Sequence, residues 1–380
     1  MSIAESVERA RPAFQRDVSA GLDALEPLIG RLAVGGTAVG GTAPDGSHVV
    51  TSALRTYRFD TTAQPASDIV PVAGVPVAAV PVAGIARVIA IRAAVPAAAL
   101  GALDAALRES VHYSHGRQLY GGTVLDIPHA RSLLAAALAD ALTADALSSA
   151  AVCLADAHTP TAPVAVALSA HLTCLLLAEA AQQVSVLAGS TFYARIAPFE
   201  LIEQHVRDLA ALAPLVPDLA DALPSAAAAM DAWCGDTGST APRALLQPDV
   251  ATAIASGAPG AIEVHAELAA AAEAALAAVE AGGHGTADPH QALELAHRVA
   301  LLTAAAAVID GWRQARGSEA IAADPLAMEA CLRRIRGRVV RRQPPLPTDL
   351  VARLVAHAEA RAASGEEMAI GPARATVTPL

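Results

Sequence analysis

Long runs of alanine and leucine, separated by short turns rich in proline and glycine, make up most of this chain and constrain its fold more than any other feature. Alanine and leucine are among the strongest helix formers, whereas proline and glycine end helices and mark turns. Aromatic residues account for only 3% of the 380 residues. This is too few for a β-sandwich, whose strands are enriched in aromatic and β-branched side chains. The sequence therefore predicts an all-α protein.

The proline and glycine turns divide the chain into predicted helices. Residues 1–32 are predicted to form one amphipathic helix that is interrupted at Pro12. About five helices are predicted after residue 218, with turns at residues 235–240, 256–260, 281–289 and 341–347. Between these two regions the pattern predicts four central helices, which run from about Ala86 to His115 with a break or bend near Pro96, from about Pro128 to Asp156, from Pro163 to about Gly189, and from about Pro198 to Leu212.

Residues 33–84 have a different character. The glycine-rich run 34–42 is interpreted as a flexible turn, with phosphate binding by its backbone N–H groups as the alternative. The β-branched and aromatic stretch from His48 to Asp60 predicts one or two short strands. A pentapeptide repeat from Val70 to Gly84 places proline at every fifth residue, which excludes a helix and a central strand. It is interpreted as an extended connector, since so few units do not support an elastin-like segment.

Composition excludes several classes of function. All 26 basic residues are arginine, and the chain contains neither lysine nor asparagine. Schiff-base chemistry needs lysine, and so does a Walker-type nucleotide site. The net charge of −11 disfavours nucleic acid and anionic membrane surfaces as partners. The four cysteines form no CxxC pair, which fits a reducing compartment.

The sequence predicts neither a membrane span nor an export signal. The uncharged stretches 69–86 and 157–178 both contain prolines, and the helical remainder of the second is too short to cross a bilayer. The N-terminus places Glu5 and Arg9 where a signal peptide needs apolar residues. A cytoplasmic protein is therefore expected.

Two clusters of polar side chains have both a functional and a structural interpretation. His112 and His115 lie three residues apart, and three more histidines lie between residues 284 and 297. No carboxylate or cysteine stands at a fixed metal-ligand spacing, so solvated or capping histidines are favoured and no metal site is assigned. Six arginines lie between Arg333 and Arg342. They could bind phosphate or an acidic partner, but a cationic helix C-terminus that complements the helix dipole, or a subunit contact, is favoured.

Three motifs follow one another along the central helices. They are Tyr113-x3-Arg117-x2-Tyr120-Gly121, the segment from Ser185 to Phe192, and Pro198-x-Glu200-Leu201. In order and spacing they resemble the C-terminal helical domain of the acyl-CoA dehydrogenases. That family has Tyr-x3-Arg-x2-Phe-Gly, then Gln-x2-Gly-Gly-x-Gly-Tyr, then Pro-x-Glu-Arg at these places. The resemblance covers residues 85–210.

The resemblance implies a central four-helix bundle and FAD as the cofactor. In the family the motif arginine, here Arg117, reaches the FAD pyrophosphate of the neighbouring subunit. A guanidinium suits this role because it forms forked, charge-assisted hydrogen bonds with phosphate. Tyr120, Gly121 and Gly189 are the other expected cofactor-binding residues, the glycines because backbone can approach a ligand closely there. A homo-oligomer, or a hetero-oligomer with a full-length acyl-CoA dehydrogenase, and an acyl-thioester ligand are implied as well.

The departures from the family pattern are also informative. The usual position of the catalytic glutamate holds Ala213, and the alternative position on the long helix holds Ile91, although the neighbouring Arg92 matches. No catalytic residue is therefore assigned. Only 84 residues precede the long helix, too few for the family's helical and β-domains, so at most a β remnant near residues 48–72 is expected. Other replaced motif positions are Pro128, Ser185, Ala188, Thr191 and Leu201.

These observations divide the chain into a shortened N-terminal region with its connector (1–84), a bundle (85–214) and a helical C-terminal extension (215–380). Three functions stay open. The protein is a self-sufficient flavoprotein that oxidises acyl thioesters or related substrates, a degenerate subunit that completes a flavin-competent partner, or a flavin-free helical protein that reuses the bundle for binding or a non-redox reaction. The first two are favoured together, because both keep the protein at a flavin-dependent acyl-oxidising site. Within this pair the degenerate subunit is favoured, since intact Arg117 could reach the flavin of the partner. The sequence leaves open whether the protein is itself an enzyme. If it is one, the resemblance implies an FAD-dependent oxidoreductase.

Overall fold

The computed structural model describes residues 2–29, 32–34, 41–42, 48–51, 56–59, 82–189, 192, 199–210, 229–282, 289–366 and 368. These residues are predominantly helical, which confirms the all-α class. The helices in chain order are α1 (Ile3–Arg16), α2 (Val18–Ile29), α3 (Val82–Gly116), α4 (Pro128–Asp156), α5 (Ala162–Ala188), α6 (Phe199–Ala210), α7 (Met230–Gly235), α8 (Pro248–Gly257), α9 (Ile262–Glu280), α10 (Pro289–Ala315), α11 (Pro325–Val339) and α12 (Thr348–Ser364).

The N-terminal region forms two helices, so the prediction of one helix interrupted at Pro12 is wrong. Pro12 lies inside α1. The break occurs at Asp17, whose backbone is extended. Its carboxylate accepts a hydrogen bond from the N–H of Ala20 at 2.6 Å. A short acidic side chain that bonds to nearby backbone N–H groups competes with helix continuation and begins a new helix instead.

The strands of the N-terminal region form one small antiparallel sheet. They are β1 (Leu32–Val34), β2 (Gly41–Thr42), β3 (His48–Thr51) and β4 (Thr56–Phe59), in the order β1-β4-β3-β2. Strands β3 and β4 confirm the prediction for residues 48–60, and β1 and β2 extend the β remnant toward the N-terminus. Residues 35–40 of the glycine-rich run and most of the pentapeptide repeat lie outside the described residues. The end of the repeat, from Val82, already belongs to α3.

The central four helices were predicted to within a few residues, and α3 continues through Pro96 without a break. Helices α3, α4 and α5 are buried on most sides, as expected for helices without a polar face. Residues 157–161 alone connect α4 to α5, and the two helices pack along their length. Such a short connection makes neighbouring helices antiparallel. The C-terminal ends of α3 and α5 therefore lie at the same end of the bundle.

Helices outside the bundle pack directly on it. At Gly101 of α3 a Cβ atom would lie 2.4 Å from the Arg11 carbonyl oxygen, so the lack of a side chain allows α1 to pack closely. The Arg11 guanidinium pairs with Asp145 of α4 at 2.5 Å. On another side, α10, α11 and α12 pack against α4. One hydrophobic core contains residues from all three predicted segments. The division into domains stays a prediction.

In the described part of the chain, four helical segments are long and apolar enough to cross a membrane by length and composition. They are Val88–Gly116, Pro128–Asp156, Ala162–Ala188 and His290–Ala315. One of them is α5, so the expectation that the helix after Pro163 is too short to cross a bilayer is wrong. In the folded chain, 67–78% of each apolar window is buried against other parts of the protein. The apolar character of these segments therefore matches their place in the protein core.

Candidate functional site

A tight hairpin at one end of the bundle carries two of the four predicted cofactor-binding residues, Tyr120 and Gly121, and a third, Arg117, directly precedes it. Strands β5 (Gln118–Leu119) and β6 (Gly122–Thr123) pair in antiparallel register, with Tyr120 and Gly121 as the turn. Both turn residues have positive φ, 52° and 87°. This is the conformation that two-residue hairpin turns prefer and that glycine adopts without strain. The Tyr120 side chain is 99% exposed. The family-like Tyr-Gly pair therefore forms a projecting turn.

Arg117 links the end of α3 to this hairpin. Its N–H donates to the Tyr113 carbonyl at 3.0 Å, and its carbonyl accepts from the N–H of Val124 at 3.2 Å. The guanidinium carbon lies 5.7 Å from the centre of the Tyr113 ring, within the range of a cation–π contact. Among the described residues no carboxylate forms an ion pair with Arg117. The cation is thus held by its backbone and by an aromatic ring, and its hydrogen-bonding edge stays available to an anion.

Asp126 fixes the base of the hairpin. Its Oδ2 accepts hydrogen bonds from the backbone N–H of Thr123 at 2.6 Å and from the Thr123 hydroxyl at 3.0 Å. The backbone bond contributes most to lowering the pKa of Asp126 below its usual value. A Cβ on Gly122 would approach the same carboxylate oxygen to 2.7 Å. These contacts hold the end of β6 against the residues that lead into α4.

Gly189, the fourth predicted residue, ends α5. It has φ 60° and ψ −142°, and its N–H donates to carbonyl oxygens of the last helical turn. No atom lies within 4 Å of where its Cβ would be, so backbone conformation, not crowding, favours glycine. Because α3 and α5 end on the same side of the bundle, Gly189 and the hairpin share that end. The surrounding motif residues 190, 191 and 193–198 lie outside the described residues.

Neither expected position supplies a catalytic carboxylate. Ile91 is 1% exposed within α3, and Ala213 lies outside the described residues. The carboxyl group with the most unusual titration in this region is Asp208 of α6, where burial raises the pKa to about 6. Its Oδ1 is buried and accepts no hydrogen bond. No sequence motif marked this residue.

The arginine-rich segment of α11 faces acidic residues of the same chain. Arg334 donates to Asp140 from Nε at 2.7 Å and from Nη2 at 2.5 Å. Arg338 lies 2.9 Å from Asp140 and 2.5 Å from Glu179. Burial raises the pKa of Asp140, but Arg338 and Arg334 together lower it below its usual value. The cluster neutralises a buried carboxylate and ties α11 to the bundle. Three other arginines pair elsewhere: Arg333 with Glu329 within α11, Arg336 with Glu267 of α9, and Arg341 with Glu294 of α10.

The histidines do not gather into a metal site within the described part of the chain, where no group of three potential ligands occurs. Nε2 of His112 lies 3.0 Å from the Ala362 carbonyl, and His115 lies 3.5 Å from Glu359. Both contacts join α3 to α12. His297 instead meets His171 of α5, with ring centres 5.7 Å apart. His284 lies outside the described residues.

Comparison with known proteins places this geometry in a family context. Residues 87–213 match the model of the acyl-CoA dehydrogenase C-terminal domain. The fold is similar to that of an acyl-CoA dehydrogenase from Bacillus anthracis, solved as a complex with FAD, with a TM-score of 0.55 and 14% identity. The match covers 73% of this chain and 56% of that one. No curated protein sequence matches the chain. The chain therefore resembles the acyl-CoA dehydrogenase superfamily through a bundle with the fold of its C-terminal helical domain.

Proposed function

We propose that this protein acts at a flavin-dependent site of acyl-thioester oxidation, as a degenerate subunit that needs a flavin-competent partner. The observation that carries the proposal is Arg117, a cation without an ion-pair partner among the described residues, stacked on Tyr113 beside a rigid projecting turn. A phosphate-binding arginine needs this combination of fixed position and available hydrogen-bonding edge.

The residues at this end of the bundle fit the pyrophosphate part of FAD. Arg117 supplies the positive charge. Gly121 and Gly189 both have open space where a side chain would be, so backbone can come close to a ligand there. Tyr120 presents a fully exposed aromatic ring at the tip. A bound FAD would supply the hydride acceptor for acyl-thioester oxidation.

The chain's own residues support binding and orientation, and they provide no base for proton removal. Ile91 is apolar and buried at one family position, and the sequence holds alanine at the other, Ala213. General base catalysis needs a group within hydrogen-bond reach of the proton it removes. We therefore assign the base to the partner. The partner is a full-length acyl-CoA dehydrogenase, and the complex is cytoplasmic.

A flavin-free protein that uses the bundle for binding or a non-redox reaction is the alternative function. The replacement of glutamine by Ser185 and of a motif glycine by Ala188 favours it, since both positions belong to the second family motif. The two functions differ in whether Arg117 contributes to FAD binding.

The decisive experiment measures FAD binding by the purified protein, from the visible flavin spectrum and from quenching of flavin fluorescence. Arg117→Ala should weaken FAD binding about tenfold or more, because it removes a charge-assisted hydrogen bond. The FAD affinity of Arg117→Lys should lie between those of the wild type and Arg117→Ala, since lysine keeps the charge but loses the forked geometry. The matched control is Arg342→Ala, which removes an exposed arginine outside the hairpin.

If the isolated chain binds no FAD, the same titration is repeated with a full-length acyl-CoA dehydrogenase from the same organism. Formation of a complex whose flavin content depends on Arg117 would support the degenerate-subunit role. A chain that binds FAD neither alone nor with this partner, or one whose Arg117 and Arg342 variants behave alike, would rule the proposal out in favour of the flavin-free function.

A further inference from the structure

We infer that the cleft between α4 and α10 binds a small amine, with its apolar body against the helices and its cationic head at Asp310. The cleft has a volume of about 560 Å³, within the range typical of small-molecule sites. Its walls come from the second half of α4, from α10, and from the turns at residues 239–240 and 318–320. It shares no residue with the hairpin that carries Arg117.

Small side chains on both helices create the space. Ala146 and Ala150 of α4 face Ala307 and Gly311 of α10. At Gly311 a Cβ would stand 4.0 Å from the Cβ of Ala146, so the helices are in near contact at this point. Beyond it, toward the end of α4, the short side chains leave the cleft open. An apolar ligand that fills the cleft would remove apolar surface from water, which favours binding.

Among the described residues that line the cleft, the charged groups are acidic. Asp310 is half-buried and accepts hydrogen bonds from Nε2 of Gln314 at 2.7 Å and from Ser239. It has no ion-pair partner in the described part of the chain. Arg313, three residues away, pairs instead with Asp249 at 3.0 Å. Glu319 adds a second, exposed carboxylate at the mouth.

This distribution of charge selects the ligand class. Arg313 lies near enough to lower the pKa of Asp310 in part, but it forms no ion pair with that carboxylate in the described part of the chain. The half-buried carboxylate therefore loses hydration that a bound ammonium group would replace. Burial accordingly raises the pKa of Asp310. A fatty-acid carboxylate would instead meet Asp310 and Glu319 with like charge. For the same reason the cleft disfavours an acyl-CoA thioester, because its phosphates are also anionic.

Cys153 provides a reporter inside the cleft. All four cysteines are thiols, and Cys153 is partly exposed, whereas the other three are buried. Burial raises the pKa of Cys174, Cys234 and Cys331 to about 12. Because the thiolate is the reactive form, a disulfide reagent such as DTNB should modify Cys153 first. An occupant of the cleft should slow that reaction.

The test compares decylamine, decanol and decanoate below their critical micelle concentrations, by calorimetry and by the rate of DTNB modification. Decylamine should bind and slow the modification of Cys153 about tenfold or more, while decanoate should have little effect. Asp310→Asn should weaken decylamine binding about tenfold and leave decanol binding unchanged. The matched control, Asp349→Asn, removes an exposed carboxylate outside the cleft and should change neither decylamine binding nor decanol binding.

A second variant, Ala150→Phe, fills the cleft and should abolish binding of both decylamine and decanol. If its thermal unfolding shows that it is not folded, the Asp310 and Asp349 variants still decide the question. Equal protection of Cys153 by decylamine and decanoate would overturn the inference. So would an absence of decylamine binding, or equal decylamine affinity for wild type and Asp310→Asn.

Discussion

Replacement of Asp140 by asparagine is expected to lower the free energy of unfolding by about 3 kcal/mol at neutral pH. Asp140 is fully buried. It accepts two hydrogen bonds from Arg334 and pairs with Arg338. Asparagine has nearly the same shape but no charge. In the described part of the chain, Glu179 would then be the one close counter-charge left to the two guanidiniums.

The magnitude follows from the burial of the two cations. Removal of one partner from a buried ion pair costs about 3–5 kcal/mol, because the other charge is left uncompensated. The side chain of Arg338 is 8% exposed and that of Arg334 is 13% exposed, so neither regains full hydration without moving. Glu179 still neutralises part of the Arg338 charge, which places the expected loss at the lower end of that range.

Urea unfolding followed by tryptophan fluorescence measures the loss, because both tryptophans, Trp233 and Trp312, are buried in the folded chain. The matched control is Asp249→Asn, which removes an exposed carboxylate 3.0 Å from Arg313 and should cost at most about 1 kcal/mol. If Asp140→Asn costs no more than this control, the reasoning is refuted. Arg334 and Arg338 would then find other partners or solvent without penalty.

The stability difference between the wild type and Asp140→Asn should depend on pH in a defined direction. The arginines hold the pKa of Asp140 below its usual value of 3.8 in the folded protein, against the opposite effect of burial. The stabilisation from ionised Asp140 is therefore complete above the unfolded pKa and is lost as the pH falls through the folded pKa. The stability difference between wild type and Asp140→Asn should stay constant down to about pH 5 and shrink below about pH 4.

Two further predictions concern the N-terminal helices and α6. Gly101→Ala should lower the melting temperature, because its Cβ would lie 2.4 Å from the Arg11 carbonyl oxygen and overpacking costs about 1–3 kcal/mol. The control Gly116→Ala, whose Cβ meets no atom within 4 Å, should not lower it, and equal melting temperatures for the two would contradict the close packing of α1. Burial raises the pKa of Asp208 to about 6, so the folded state binds the extra proton and stability falls as the pH rises through that value. Asp208→Asn should therefore raise the free energy of unfolding, measured in urea, more at about pH 8 than at about pH 5. If the stability difference between this variant and the wild type is the same at both pH values, the prediction is wrong.

Local signals in the sequence determined the helices and the family resemblance. The first helical turns of α4 and α5 carry Pro128 and Pro163, and Gly189 follows the last residue of α5. Proline near the start and glycine just after the end are local preferences of the helix itself. For that reason the bounds of both helices were predicted to within about two residues. The motif around Arg117 lies within one helix end and one turn, so it too was readable from the sequence.

Tertiary structure decided what depends on long-range neighbours. The N-terminal helices break at Asp17, and α3 continues through Pro96. Both outcomes depend on the balance between local hydrogen bonds and packing, which residue preference alone does not resolve. The arginines of α11 became a buried ion-pair network because Asp140, almost two hundred residues earlier in the chain, lies against them. The shifted pKa of Asp208 and the cleft at Asp310 likewise arise from burial between distant helices. Charge, helix ends and turns are properties of short segments, whereas burial and the partner of each charge exist only once the helices have packed.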